Sequence, residues 1–490
     1  MQASENFEIL QKEIENNITD WYPFEENTKY IMLKDFSKDK IKEFENAVKD
    51  LAENSKILII LENNLSIRNV CQNIENQDKL FNRKEIEELL DKNGLIYRKF
   101  YYPLPDSKMT NVIFTDNHLP DTQTISRNIV FYKNNDIKKN DEREEFNKLL
   151  KQDSNLFRMF ANTFFIECSK KEFIDNGIEF VSFSNMRKEQ YRIRTIMRGD
   201  SVYKQAVNDK SKKHIEQIKR NIDIINEIKL NTLDTYTEDT IISNYQKGKE
   251  TFDKIVVNKL KNNEKREVEE LINNFFEELK QKLVIVKPEQ NVFDKYEIEY
   301  EKQDIEKLTF VKYGLWDLIF QNIFYIDNKY FFFDQEWIEE NLPLEFIIYR
   351  TFIYNKELQD LLDIREVFQK FNINDKNIGM FNQLDNKLQL QTRSELSWNL
   401  HTESLDIINE EKLVKILENN TQQMTQEFKK LLNEKDARIK FLEDNMEQTC
   451  EILKQREKEL EYMKNSASWK ITEPLRKIRA KNKRKEMIKK

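Results

Sequence analysis

Asp317–Trp337 reads DLIFQNIFYIDNKYFFFDQEW. An acid, Asp317, is followed five positions later by an amide, Asn322. A short apolar segment leads to the turn residues Asp327-Asn328-Lys329. The apolar run Tyr330–Phe333 then ends in a second acid, Asp334. This spells a loop acid, an amide, a β-hairpin and an acid at the hairpin's end. Phosphoryl transfer of the kinase type requires that order. One Asp orients the attacking hydroxyl and takes its proton, and an Asn and a second Asp hold Mg²⁺ against the nucleotide phosphates. Hard oxygen ligands suit that ion. The competing reading is a polar hairpin rim in a chain with 88 acidic residues.

Composition narrows the alternatives. Only six glycines occur, at 94, 177, 199, 248, 314 and 379. None are close enough to form a phosphate loop, which needs glycine so that backbone N–H groups can approach phosphate. A nucleotide here has to be covered without a glycine-rich loop. Three cysteines and three histidines are dispersed, so neither a disulfide framework nor a zinc cluster is expected. A net charge of −7 argues against general nucleic-acid binding. No apolar run is long enough to span a bilayer and no signal peptide is apparent, so a cytoplasmic protein is expected. The 490 residues should hold two or three domains.

Upstream of the opening stretch, Ile178–Phe183, Tyr191–Met197 and Ser201–Val207 read as strands. Arg198-Gly199-Asp200 is the turn between the last two, with Gly supplying positive φ. A helix over 213–229 follows. Three strands and a helix make the start of a kinase amino-terminal lobe. Lys204 falls on the third strand, where the phosphate-pairing lysine belongs. Glu216 is the candidate helix acid to hold it, with Asp223 and Glu227 behind it. Arg187, in Ser184-Asn185-Met186-Arg187, is the candidate phosphate contact in the covering loop. ATP and Mg²⁺ are the cofactors this set implies, with Asp317 as base and Asn322 and Asp334 as metal ligands.

The first 140 residues alternate strands and helices. Ile57–Leu61 is a continuous apolar strand, residues 84–92 a helix stopped at Asn93-Gly94, and Leu95–Tyr102 and Val112–Thr115 further strands. That order predicts an α/β sheet.

Trp21-Tyr22-Pro23-Phe24, the strand ending in Glu62-Asn63, the helix from Phe81 to Leu90 and Phe100–Asp106 resemble the class I S-adenosylmethionine methyltransferase domain of bacterial surface-polysaccharide proteins. Phe160–Phe164, Phe183–Arg187, Asp317–Asn322, Phe333–Trp337 and Pro343–Arg350 resemble further segments of that family, so the similarity spans most of residues 18–355. Relatives include the kinase–methyltransferases that terminate O-antigen chains, in which a kinase phosphorylates the terminal sugar and a methyltransferase caps the phosphate. The resemblance implies a sugar-directed kinase with Asp317, Asn322, Asp334 and Lys204 in the roles above. It also implies a glycan acceptor or a polysaccharide glycosyltransferase as partner. Where the family carries its glycine-bearing cofactor turn, this chain has Tyr30–Asp35 without glycine. S-adenosylmethionine binding is therefore not expected, and the sheet reads as a truncated Rossmann-like remnant. Two alternatives stand beside the kinase: a non-catalytic scaffold that organises glycosyltransferases at the membrane, and an active methyltransferase.

Phe428, Leu432, Lys435, Ile439, Leu442, Met446, Thr449, Leu453, Arg456, Leu460 and Met463 are spaced alternately by four and three, and eight of the eleven are apolar. This predicts a coiled coil and a homo-oligomer. Beyond it, Ser466–Arg476 resembles a short segment common at the ends of polysaccharide glycosyltransferases. The stretch 470–490 is polybasic around an apolar component. Such a tail binds an anionic membrane surface, here the inner face of the cytoplasmic membrane.

The expected architecture is an α/β and α+β multidomain chain. It comprises a degenerate methyltransferase-like domain (1–140), a bilobal kinase-like domain (141–405), a coiled coil (406–465) and a basic tail (466–490).

Overall fold

A computed structural model describes residues 2–404 except 53, 72–76, 127–128 and 132–141. Beyond 404 it describes 435–436, 439–440, 447–448, 451–466, 469–470, 472 and 476–477. Residues 1–406 form one compact unit and 407–490 a second. Most of the predicted seam (406–434, 437–438, 441–446, 449–450) and most of the basic tail lie outside the described residues.

Ten strands of the first unit share one sheet. They are β1 (Lys29–Leu33), β2 (Ser55–Glu62), β3 (Tyr97–Leu104), β4 (Val112–Thr115), β5 (Thr163–Ser169), β6 (Ile178–Phe183), β7 (Ile193–Arg198), β8 (Ser201–Ala206), β9 (Asp234–Tyr236) and β10 (Thr240–Asn244). Their order is β1-β2-β5-β3-β4-β6-β7-β8-β10-β9.

The Rossmann-like expectation requires correction here. Only β1 and β2 pair in parallel, and every other ladder of this sheet is antiparallel. The reason is β5. It comes from beyond residue 140, inserts between β2 and β3, and pairs antiparallel to both, with Ile59 opposite Ile166 and Phe100 opposite Ile166. A strand-helix-strand order along the chain does not dictate parallel neighbours when a later strand takes the place between them. The sheet runs unbroken across residue 140 through the β4–β6 pairing, where Val112 faces Ser182.

The continuous apolar run of β2 follows from burial on both faces. Ile57, Ile59 and Leu61 enter one core with Phe44, Ile86 and Phe164. Leu58 and Ile60 enter another with Trp21, Tyr101 and Phe165. The helices α1 (Gln2–Ile14), α2 (Ile41–Lys49), α3 (Arg83–Lys92) and α4 (Glu142–Gln152) belong to this half. Asn82 and Glu85 form a capping box at the start of α3.

Strands β6 to β10 carry the lobe that precedes the site. Arg198 pairs with Ser201 across a two-residue turn in which Gly199 has φ +58°, as a glycine-first hairpin turn demands. α5 (Lys212–Glu227) lies in the chain between β8 and β9 and packs Ile215, Ile218 and Ile222 onto Ile193 and Ile241.

The following lobe is mainly helical: α6 (Phe252–Lys261), α7 (Lys265–Lys282), α8 (Leu344–Ile353) and α9 (Asp375–Thr392), around a core rich in Phe. Two small ladders are set in it. β11 (Phe310–Leu315) pairs with β14 (Ile338–Pro343), and β12 (Ile323–Ile326) pairs with β13 (Lys329–Phe332). The hairpin between β12 and β13 turns at Asp327 (φ +50°) and Asn328 (φ +61°), the two left-handed residues of a tight primed turn.

β11 and β14 approach closely because Gly314 has no side chain. A Cβ there would stand 2.3 Å from Leu342 Cβ. Gly314→Ala is expected to destabilise the protein by about 1–3 kcal/mol through overpacking, read as a lowered urea midpoint. After α9 the chain returns to the first lobe, where Lys188 N–H donates to Thr392 and Ser394 N–H to Met186. α10 (Glu395–Ser404) then packs Leu400 with Leu10 and Ile14 of α1.

Candidate active site

Two ladders assemble the site. The β11–β14 register sets Leu315 opposite Ile338, so the residues just outside that pair, Trp316 with Asp317 and Glu336 with Trp337, are brought side by side. The Trp316 and Trp337 rings stack at 5.9 Å. The β12–β13 register sets Ile323 opposite Phe332, which places Asn322 beside Phe333, whose N–H donates to the Asn322 carbonyl (3.1 Å). The loop bearing Asp317 and Asn322 is thereby locked against the segment Asp334–Trp337.

Side-chain amides tie the two further. The Asp317 backbone carbonyl accepts from Asn322 Nδ2 (3.0 Å) and from Gln335 Nε2 (3.1 Å). The first of these bonds engages the Asn322 nitrogen rather than its amide oxygen. Asn221 of α5 donates to the carbonyl of Glu336 (2.8 Å), joining the helix of one lobe to the loop of the other. Asp334 holds a left-handed backbone (φ +61°), and its N–H donates to Asp234 Oδ2 of β9 (2.9 Å). Non-glycine residues adopt that conformation at a cost and persist in it where their surroundings hold them.

Lys204 lies on β8 with its side chain buried. It donates to Glu336 Oε1 (2.6 Å) and to the Asp334 carboxylate. Arg187 pairs with the other oxygen of Glu336. His214 of α5 brings Nε2 to 3.5 Å from that oxygen, and its ring stacks on Trp337. Burial opposes ionisation of Glu336. Arg187, Lys204 and His214 outweigh it and hold the carboxyl well below the ordinary range. Burial raises Asp234, against the hydrogen bond from Ser243 and the charge of Lys204.

Asp317 stands apart in character. Burial pushes its carboxyl up to about 6, with Arg350 the main opposing charge and Glu336 adding to the rise. Arg350 Nη2 lies 3.6 Å from Asp317 Oδ1, but the guanidinium is shared with Asp385. The charges of Arg187 and Lys204 also act on Asp317.

A cleft of about 710 Å³ opens between the lobes. Its walls include Phe180, Val202 and Lys204 from the sheet, Tyr245 and Gln246 from the connection after β10, and Phe324, Asp334 and Glu336 from below. Arg187 also lines it, whereas Asp317 and Asn322 are not on its wall. Asp317 keeps 17% of its side chain exposed.

The structure thus joins Lys204, Arg187 and Asp334 through Glu336, and sets Asp317 and Asn322 directly behind that segment. Glu216 is corrected. It does not meet Lys204 but faces solvent and pairs with Lys219 (2.7 Å). α5 buries 214, 218, 221, 222 and 225, and at 100° per residue position 216 falls off that face. The acid that holds Lys204 comes from Glu336, two residues after Asp334. Asp234, His214, Asn221 and Arg350 also enter the site, and no spacing rule marks them.

Asn322 carries an amide oxygen and Asp334 a carboxylate, the hard donors magnesium takes, but Lys204 holds the Asp334 carboxylate and both Asp234 oxygens accept hydrogen bonds, from Ser243 and from the Asp334 N–H. Among the described residues, no group of three His, Cys, Asp or Glu is arranged to hold a metal.

No protein-family model matches the chain, and no curated protein does. Among solved structures, the choline kinase LicA from Streptococcus pneumoniae overlaps at 13% identity and a TM-score of 0.28, over 46% of this chain and 83% of that one. LicA in complex with AMP overlaps at 13% identity and a TM-score of 0.27, over 48% and 87%. The similarity is weak and concerns fold alone. The chain is a mixed α/β protein with one large mixed sheet and many helices. No helix among the described residues is long and apolar enough to cross a membrane.

Proposed function

We propose that the chain is a kinase-like phosphotransferase of cell-surface polysaccharide assembly, of the O-antigen or capsule type, which transfers phosphate from ATP to a sugar hydroxyl. The observation that carries this reading is the meeting of Lys204, Asp334 and Glu336 at the cleft, with Asp317 and Asn322 locked against the same segment. Lys204 and Arg187 bind nucleotide phosphates. Phe180, Val202 and Phe324 offer apolar walls to a base. Asn322 and Asp334 would hold Mg²⁺, which would neutralise charge on the phosphates. Asp317, ionised above about pH 6, accepts the hydroxyl proton as the sugar oxygen bonds to the γ-phosphorus. The bond from that phosphorus to the β-phosphate oxygen breaks, and ADP leaves.

In this reading the half of the sheet formed by β1 to β5 binds no S-adenosylmethionine and supports the catalytic part, which begins at β6. The coiled coil and basic tail seat the protein beside a glycosyltransferase at the inner membrane face. Calorimetry tests the first step. Mg²⁺-dependent binding of ATP is expected, and Lys204→Ala and Asp334→Ala are each expected to weaken it at least about tenfold, the loss of a single charge-assisted contact. No heat of binding with the folded wild-type protein would sink the kinase reading.

A second reading rests on the direct contact of Lys204 with Asp334. A kinase-shaped scaffold could retain that ion pair as a structural clasp. It predicts that Asp317→Ala leaves cellular polysaccharide unchanged while removal of residues 411–490 abolishes it.

A further inference from the structure

We propose that Asn111, which the supporting half of the sheet contributes to the cleft, is a ligand-binding residue whose carboxamide takes two neighbouring hydroxyls of a sugar, donating to one and accepting from the other. The inference rests on the reading of the cleft as a sugar-kinase site. Asn111 directly precedes β4, is 2% exposed and lines the cleft. Its backbone is held on both sides. The N–H donates to the Leu104 carbonyl (2.9 Å), and the carbonyl accepts from Phe183 N–H (2.9 Å). Its side chain is not held: among the described residues, neither Oδ1 nor Nδ2 has a hydrogen-bond partner. Buried amides nearby are bonded. Asn17 and Asn185 each donate to the Thr110 carbonyl (3.1 Å), and Asn162 donates to that of Pro105 (2.8 Å). Burying an amide without partners is costly, and an orphaned group in a native protein calls for a reason. A ligand in the cleft supplies one.

The strand registers fix where this amide stands. Lys204 lies opposite Thr195, Thr195 opposite Ser182, and Ser182 opposite Val112. Val112 is therefore three strands from Lys204, roughly 14 Å at the usual strand spacing, and Asn111 is its neighbour in the chain. Tyr245 and Gln246 follow β10, which lies on the other side of β8. Asn111 thus stands well away from the place where Lys204 binds phosphate in this reading. Its chemistry agrees. An anionic phosphate takes donors and would face the lone pairs of Oδ1, whereas an amide with donor and acceptor both free matches groups that accept and donate. Hydroxyls on adjacent carbons do both. Ser182 and Thr195 carry further hydroxyls along the cleft wall between Asn111 and Lys204. Two sugars carry such a pair here: the ribose of the nucleotide and the acceptor saccharide.

The test compares the full chain with its Asn111→Leu and Asn111→Ala variants. Neither substitution breaks a side-chain hydrogen bond among the described residues, so the urea midpoint is expected to stay or to rise. Calorimetry in Mg²⁺ with ATP, and with dideoxy-ATP, which lacks both ribose hydroxyls, reads the ribose. If the ribose is the partner, the wild type prefers ATP at least about tenfold, the value of two neutral hydrogen bonds, and both variants lose that preference. Saturation-transfer NMR with the methyl glycosides of glucose, galactose and mannose reads the acceptor. If the saccharide is the partner, both variants bind the two nucleotides as the wild type does and lose the transfer to a glycoside that the wild type binds. Equal weakening of both nucleotides, unchanged binding of every probe, or a urea midpoint lowered in both variants would each overturn the proposal. A wild type that binds neither nucleotide ends the kinase reading, and the glycosides alone then decide the role of Asn111.

Discussion

Asp317→Asn is expected to make the protein more stable at neutral pH and to remove its phosphoryl transfer. The folded protein holds this carboxyl near 6, against an ordinary 3.8, chiefly because it is buried. Folding therefore favours the protonated acid. That contribution to stability is fully present below about pH 4 and is lost as pH rises through 6. Above pH 7 the wild type bears the whole cost of a buried charge, on the order of 3 kcal/mol by linkage. Asparagine has the same shape and no charge. It forfeits the contact with Arg350, but Arg350 retains Asp385. A net gain of roughly 1–3 kcal/mol at pH 8, vanishing near pH 4, should appear in urea unfolding. Transfer to a saccharide acceptor should fall at least about 100-fold, the usual loss on removing a general base. A variant that is less stable at pH 8 and fully active would show that Asp317 is an ordinary structural acid. Sites kept for function are commonly ones where stability has been given up.

Glu336→Ala should act in the opposite direction. Glu336 is 3% exposed and is shared by Lys204, Arg187 and His214. Its removal leaves Lys204 and Arg187 at the cleft with only Asp334 between them. Breaking a buried pair from one side costs about 3–5 kcal/mol, because the surviving charge is left without compensation. The expected result is a large fall in the urea midpoint. Glu336→Gln should cost less, since an acceptor remains. Lys204→Met combined with Glu336→Ala should recover part of the loss, because the uncompensated lysine is gone. If the single variant unfolded like the wild type, the cluster would be a surface feature and its role in joining the lobes would fail. ATP binding by Glu336→Ala, measured where the variant is still folded, should also weaken, because Lys204 is no longer aimed into the cleft.

The sequence alone determined the local parts of this protein. The run Ile57–Leu61 could only be a strand buried on both faces, because it is continuous, apolar and β-branched. Arg198-Gly199-Asp200 and Asp327-Asn328 read as turns, because Gly199, Asp327 and Asn328 tolerate positive φ. That Asp317, Asn322 and Asp334 lie near one another was readable because one loop and one hairpin carry all three, so their separation in space follows from their separation in sequence. The place of Lys204 on a strand was readable from the short runs on either side of Gly199.

Tertiary structure decided what depends on contacts between distant segments. The antiparallel sheet exists because β5 enters between β2 and β3, and no pattern within β2 or β3 reports what will lie between them. Glu216 was chosen by position in the helix, but the face of α5 that meets the site is set by Ile215, Ile218 and Ile222 packing on the sheet. Glu336 could take the helix acid's place because the β11–β14 register carries it to Lys204, 132 residues away. Asp234 and Arg350 join for the same reason. Burial, which converts Asp317 from one acid among 88 into a group poised near neutrality, is a property of everything packed around it and of nothing in its own stretch of sequence.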